Sequence, residues 1–143
     1  MKEKIKADSV TALKNHDNVR VGVLRYLISL IDKKELQLPP GQMTEAVEMA
    51  VLRKELKDKQ EAKEMFVKGN REDLVSEVDF EISVLSEYLP AEMPEEELDK
   101  IIDEAVAGAG GNFGAAMKIA MTKTEGRVGG DKISAKVKQK LSA

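Results

Sequence analysis

A row of lysines near the end of the chain could bind phosphate groups. Lys132, Lys136 and Lys140 recur at every fourth position. In a helix they would share one side, about 100° around the axis from the apolar residues that follow them. The stretch before them, residues 126–130, reads GRVGG. Glycines at positive φ let backbone N–H groups face an anion, and the N-terminus of a following helix adds partial positive charge. The spacing therefore predicts a site for a polyanion.

Two observations weigh against this phosphate site. Asp131 is predicted to cap the last helix, and its carboxylate would compete for the same N–H donors and repel an anion. Basic runs are also common on protein surfaces, so a simpler interpretation is open. In that interpretation the glycines only turn the chain and the lysines only solvate a terminal helix. The charge pattern taken alone favours the simpler interpretation.

Charge is unevenly distributed along the sequence, whose net charge is −3. Residues 72–104 contain thirteen acidic side chains and one basic side chain, Lys100. Residues 112–143 contain seven basic and two acidic side chains. The C-terminal end of the chain is therefore the part that we expect to meet an anionic partner.

The sequence lacks the motifs of common enzyme classes. The glycine-rich stretch 108–114, GAGGNFG, fits neither G-x-G-x-x-G nor a Walker loop, and it follows a predicted helix instead of a strand. His16 is the only histidine and there is no cysteine. No G-x-S-x-G elbow or pair of E-x-x-H motifs occurs. Residues 95–97, all glutamates, are interpreted as a helix start. We therefore expect no catalytic residue, no metal site and no cofactor.

Hydrophobic spacing predicts an all-α fold. About four helical segments precede the stretch PAEMP, residues 90–94, and about three follow it. The prolines of this stretch interrupt the apolar stripe, because proline cannot continue a helix. We predict an N-terminal helical domain, residues 1–90, and a three-helix C-terminal tail domain, residues 91–143.

Two local details of these helices can be predicted. Thr44 is the expected cap of the third helix. Phe113, Met117 and Met121 are interpreted as core side chains of the sixth helix, since their four-residue spacing places them on one side.

The sequence also predicts a cellular location. The N-terminus is charged, and no apolar run approaches the ~20 residues that span a bilayer. We expect a cytoplasmic protein with no membrane segment.

Three stretches resemble motifs of the YqeY family. They are EYLPAEMPEEELDKIIDEAV from Glu87, FGAAMKIAMTKTEGRVGGDKIS from Phe113, and the end of a long charged helix, FVKGNREDL from Phe66. The family pattern contains E-Y-L-P, then G-x-x-M, then G-R-x-x-G before a final amphipathic helix, in the order found here. Two departures are visible: residues 128–129 are Val-Gly where the family often has Ala-Asp, and Met93 replaces a capping serine.

The resemblance implies an all-helical protein whose C-terminal tail is similar to that of the B subunit of the glutamine-dependent amidotransferase acting on misacylated Glu-tRNA or Asp-tRNA. In that enzyme the tail handles tRNA and other domains hold the catalytic centres. The resemblance therefore implies an accessory tRNA-binding protein without a catalytic centre of its own. Expected partners are tRNA and also aminoacyl-tRNA synthetase or amidotransferase proteins. The expected RNA-binding residues, in the family's loop and flanking it, are Lys118, Lys123, Gly126, Arg127, Gly130, Lys132, Lys136 and Lys140.

Two other functions are open at this point. In the first, the chain is a protein-interaction adaptor whose exposed helix from Arg53 to Lys68 and acidic stretch from Glu72 bind a partner protein. In the second, it completes a transamidase in trans, as a subunit of a carbon-nitrogen ligase with glutamine as amido donor. Few aromatic residues lie near the lysines in the sequence, so base stacking is not expected.

Overall fold

The computed structural model describes residues 1–142, which form seven α-helices and no β-strand. The prediction of an all-α fold is confirmed. None of these seven helices has the length and apolar character needed to span a bilayer. The helices are α1 (Lys2–Lys14), α2 (Asn18–Leu36), α3 (Glu45–Lys68), α4 (Glu72–Ser86), α5 (Glu95–Gly108), α6 (Phe113–Thr124) and α7 (Gly130–Leu141).

The helices are divided between two compact units, Met1–Leu89 and Pro90–Ala143. In the N-terminal unit α1 packs against α2 and α3 packs against α4, and α2 also contacts both α3 and α4. Apolar residues at three- and four-residue spacing turn one face of each helix into the core. Leu24, Leu27 and Ile31 of α2 are each at most 1% exposed, so α2 is the central helix of this unit.

Side chains fix the N-terminal ends of three helices. Asp17 and Thr44 accept backbone N–H hydrogen bonds at the starts of α2 and α3, over 3.1 and 3.3 Å, and Asn112 accepts one at the start of α6 over 2.9 Å. The prediction for Thr44 is confirmed. The prediction that Asp131 caps the last helix is wrong, because α7 begins at Gly130 and Asp131 lies inside its first turn. A carboxylate there still complements the positive end of the helix dipole.

The stretch EYLP, residues 87–90, ties the end of α4 to α1 and α2. Arg20 Nη2 donates to Glu87 Oε2 over 2.7 Å, and the Tyr88 hydroxyl donates to Asp8 Oδ2 over 2.6 Å. Burial, together with the Asp8 carboxylate, raises the pKa of Tyr88. The same hydrogen bond lowers the pKa of Asp8. Tyr88 therefore stays protonated as the donor, and these residues stabilise the fold of the N-terminal unit.

Candidate nucleic-acid interface

The C-terminal unit has its own core, to which each of its three helices contributes one face. α6 contributes the small residues Ala116 and Ala120, which let neighbouring helices approach closely. α7 contributes Ile133 and Val137, which lie four residues apart and so share one side. The buried side chains of this core are Met93, Leu98, Ile102, Ala105, Ala116, Ala120, Val128, Ile133 and Val137.

The lysine row of α7 is paired with carboxylates on and just before α5. Lys136 Nζ lies 2.6 Å from an Asp99 oxygen and 2.9 Å from a Glu95 oxygen. Lys132 Nζ contacts the other Glu95 oxygen and lies 3.4 Å from Glu92 Oε1. Each of the two lysines is therefore held by two carboxylates.

The pairing continues to the end of α7, where Lys140 Nζ lies 2.8 Å from Asp103 Oδ1. Successive lysines meet successive carboxylates, so α5 and α7 run in the same direction. We name this set the charge ladder. It comprises Lys132, Lys136 and Lys140 of α7 with Glu92, Glu95, Asp99 and Asp103.

Glu95 is the one carboxylate of the charge ladder that contacts two lysines, Lys132 and Lys136. Hydrogen bonds from Lys132 and then Lys136 lower the pKa of its carboxyl to about 2. In turn, the pKa of Lys132 is raised mainly by Glu95, and the pKa of Lys136 mainly by Asp99. The stability that Glu95 contributes is complete above the ordinary carboxyl pKa and is lost as the pH falls towards 2. The contribution of the lysines is lost only at alkaline pH, as the pH rises through their raised pKa values.

The loop before α7 is held by the protein itself. Arg127 Nε donates to the Ala91 carbonyl over 3.2 Å, and Arg127 Nη1 lies 3.7 Å from Glu97 Oε1. A Cβ built on Gly129 would lie 2.7 Å from Asp131 Oδ1, so this carboxylate covers the start of α7. Of the two predicted loop glycines, Gly126 has a positive φ of 76°, and the second begins α7 as an ordinary helical residue. A phosphate at this helix N-terminus would have to displace Asp131.

The structure places most of the predicted RNA-binding cations in ion pairs. Besides the charge ladder and Arg127, Lys123 Nζ lies 3.0 Å from Glu104 Oε2. Lys118 is the exception, since it is exposed and forms no ion pair with any residue in the range 1–142. From residue 90 onward the sequence contains nine acidic and eight basic side chains, for a net charge of −1. The positive charge of the C-terminal segment is thus balanced within the unit that contains it.

A second basic surface lies along α6 and α7, and of its two lysines the sequence analysis predicted Lys118 but missed Lys138. Phe113 and Met121 are 39% and 41% exposed, and Lys138 Nζ lies 5.7 Å from the centre of the Phe113 ring. Lys138 has no carboxylate partner among the described residues. Lys118 lies three residues before Met121, so the two side chains are neighbours on the surface of α6. We name Phe113, Lys118, Met121 and Lys138 the α6–α7 face.

The interpretation of the sixth helix as a methionine-lined core helix is only partly correct. Met117 packs against the core, as expected, whereas Phe113 and Met121 are exposed. Ala116 and Ala120 occupy the buried positions. Both sets of residues recur at every fourth position, so the spacing alone did not decide which side of this helix is buried.

The family model described as Yqey-like protein matches residues 2–141, which is nearly the whole chain. The chain belongs to the YqeY family. A comparison with curated proteins finds no match.

The YqeY match spans both units, and residues of the two motifs make contacts within them. E-Y-L-P forms the hydrogen bonds that join α4 to α1 and α2. In the G-R-x-x-G loop, Arg127 donates a hydrogen bond to the Ala91 carbonyl, and Val128 is buried in the core of the C-terminal unit. In this YqeY protein both motifs therefore have structural contacts.

Proposed function

We propose that this YqeY-family chain is an accessory tRNA-binding protein, related to the tail of the amidotransferase B subunit and without a catalytic centre of its own. We further propose that it contacts RNA through the α6–α7 face instead of the lysine row. The observation that supports this choice is the combination of an exposed aromatic ring with two cations, Lys118 and Lys138, that form no ion pair with any described residue. The resemblance of the C-terminal motifs supports tRNA as the ligand.

Electrostatics makes the charge ladder a poor phosphate site. An RNA phosphate that bound Lys132 or Lys136 would have to displace Glu95 or Asp99 and leave that carboxylate beside the RNA. At the α6–α7 face neither lysine has a carboxylate partner among the described residues that a phosphate would need to displace. Phe113 offers one ring surface on which a base can stack, in contrast to the expectation from the sequence, because the fold brings this ring close to Lys138. Two phosphate contacts predict weak binding with a shallow salt dependence, of slope about −1.4 to −1.8 in log K against log salt.

The test is a titration of fluorescent tRNA with the full chain between about 50 and 200 mM salt. The double variant Lys118→Gln/Lys138→Gln should lose most of its affinity and flatten the salt slope by about 1.4 to 1.8. The matched control is Lys132→Gln/Lys136→Gln, which removes the same charge from the charge ladder and should keep the wild-type slope. Wild-type binding by the first variant, or loss confined to the control, would contradict the assignment to this face.

A second candidate function is the protein-interaction adaptor. It is favoured by an exposed apolar groove in the N-terminal unit, which is lined by residues of α2, α3 and α4. This role uses a different unit from RNA binding, so the same protein can have both.

A further inference from the structure

The groove of the N-terminal unit is an open cleft of about 450 Å³ between the first half of α2 and the second half of α4. Leu27 and Leu85 are buried beneath it. Val19 and Tyr26 are 66% and 46% exposed, and Phe80 is half-buried on the α4 side. The cleft therefore exposes apolar side chains that no other side chain of the N-terminal unit covers.

Gly22 lies inside this groove, in the interior of α2. Glycine in a helix interior is destabilising relative to alanine, so its presence requires an explanation. Its φ is not positive, and a Cβ built on it would meet no atom within 4 Å. Neither backbone conformation nor internal packing requires glycine here. What the missing side chain provides is room for another molecule to approach α2.

The rim of the groove is acidic. The charged side chains that line it are Glu77, Glu81 and Lys59, which together carry a net charge of −1. Glu77, at the rim, has no ion-pair partner within the described part of the chain. Lys59, the one cation that lines the groove, is neutralised by Glu81 at 2.5 Å and Glu55 at 3.7 Å. An apolar groove with a negative rim is complementary to a ligand that is apolar on one side and basic beside it.

We propose that this groove binds a basic amphipathic helix of another protein. A helix satisfies its own backbone hydrogen bonds, whereas an extended peptide would bury unpaired N–H and C=O groups against an apolar lining with no strand edge beside it. The stretch of α2 that lines the groove, residues 18–27, is about 15 Å long, which matches two to three turns of a partner helix. Apolar side chains of the partner lie over Gly22, and its lysines or arginines face Glu77. The inference deepens the adaptor role and does not depend on RNA binding, since all of these residues lie in the N-terminal unit.

The test uses a fluorescent model peptide of about 18 residues, long enough to form a helix, with leucines on one face and lysines on the other. The full chain should bind it, and should bind a matched peptide with glutamates in place of the lysines at least about tenfold more weakly. Gly22→Leu should weaken binding of the lysine peptide by at least about tenfold while raising the melting temperature of the free chain. Ala50→Leu, which adds the same side chain at an exposed position of α3 outside the groove, should leave binding unchanged. Glu77→Lys should reduce the preference for the lysine peptide.

Three outcomes would overturn the proposal: no binding of the lysine peptide, equal binding of the two peptides, or full binding by Gly22→Leu. A wild-type dimer that Gly22→Leu converts to a monomer would also overturn it, because the occupant would then be a second copy of the chain. The RNA proposal is tested separately. Gly22→Leu should not change tRNA affinity, and Lys118→Gln/Lys138→Gln should not change peptide affinity.

Discussion

Replacing Ile133 with alanine should lower the free energy of opening of α5–α7 by about 2–5 kcal/mol. Ile133 has no solvent exposure and lies in the core of the C-terminal unit. The change removes three buried carbon atoms and leaves a cavity that helices in contact can only partly close. Hydrogen exchange of backbone amides in α5–α7, followed by mass spectrometry, measures this free energy directly.

The neighbouring residue supplies the control for this prediction. Lys132→Ala removes ion pairs that are partly exposed to solvent, and pairs of this kind contribute about 0–1 kcal/mol. The two variants differ by one position on the same helix, so helix propensity affects both similarly. An equal loss of protection in both variants would show that α7 is not held to its neighbours mainly by apolar contacts.

Replacing Tyr88 with phenylalanine should destabilise the N-terminal unit by about 1–2 kcal/mol at neutral pH. The change keeps the buried ring and removes only the hydroxyl that donates to Asp8 over 2.6 Å. In the variant Asp8 still has Lys4 Nζ at 3.2 Å and is partly exposed to solvent. The loss of stability is therefore smaller than the loss expected for a fully buried charge without a partner. Urea unfolding followed by hydrogen exchange in α1, α2 and α4 measures the effect.

The pH dependence of this variant follows from the lowered pKa of Asp8. A carboxyl with a lowered folded-state pKa contributes stability above its ordinary pKa, and the contribution is lost as the pH falls. The difference between wild type and Tyr88→Phe should therefore shrink below about pH 4. Tyr26→Phe, at a ring that is 46% exposed, is the matched control and should change stability little at any pH. A constant difference down to pH 2 would contradict the hydrogen bond to the carboxylate.

The helices of this chain could be predicted because each depends on local signals. Apolar spacing marks the buried side of α2, and the cap at Thr44 needs only the four residues that follow it. The orientation of α6 was harder to predict, because alanine and methionine are both compatible with a buried position. Packing against two neighbours selects the smaller residue for the close contact, which places Ala116 and Ala120 inside and leaves Met121 exposed.

The candidate site shows what sequence reasoning could not supply. The lysine row is visible at its four-residue spacing, and so is the matching acidic row at Glu95, Asp99 and Asp103. Their pairing depends on which side of α7 faces α5, and tertiary packing decides that side. Gly22 is a similar case: in the sequence it is an isolated glycine in a helix, and only the surrounding side chains show that it opens a groove.

The most direct test of the charge ladder is the pKa of the Glu95 carboxyl, measured by following its side-chain carbon signal through an NMR pH titration. If Lys132 and Lys136 are held by this carboxylate, the pKa is about 2, and Lys132→Gln/Lys136→Gln raises it towards the ordinary value. A pKa of about 4.3 in the wild-type protein, unchanged in that variant, would mean that the lysines are not engaged. The lysine row would then be free to bind phosphate, and the assignment of RNA contact to the α6–α7 face would lose its basis.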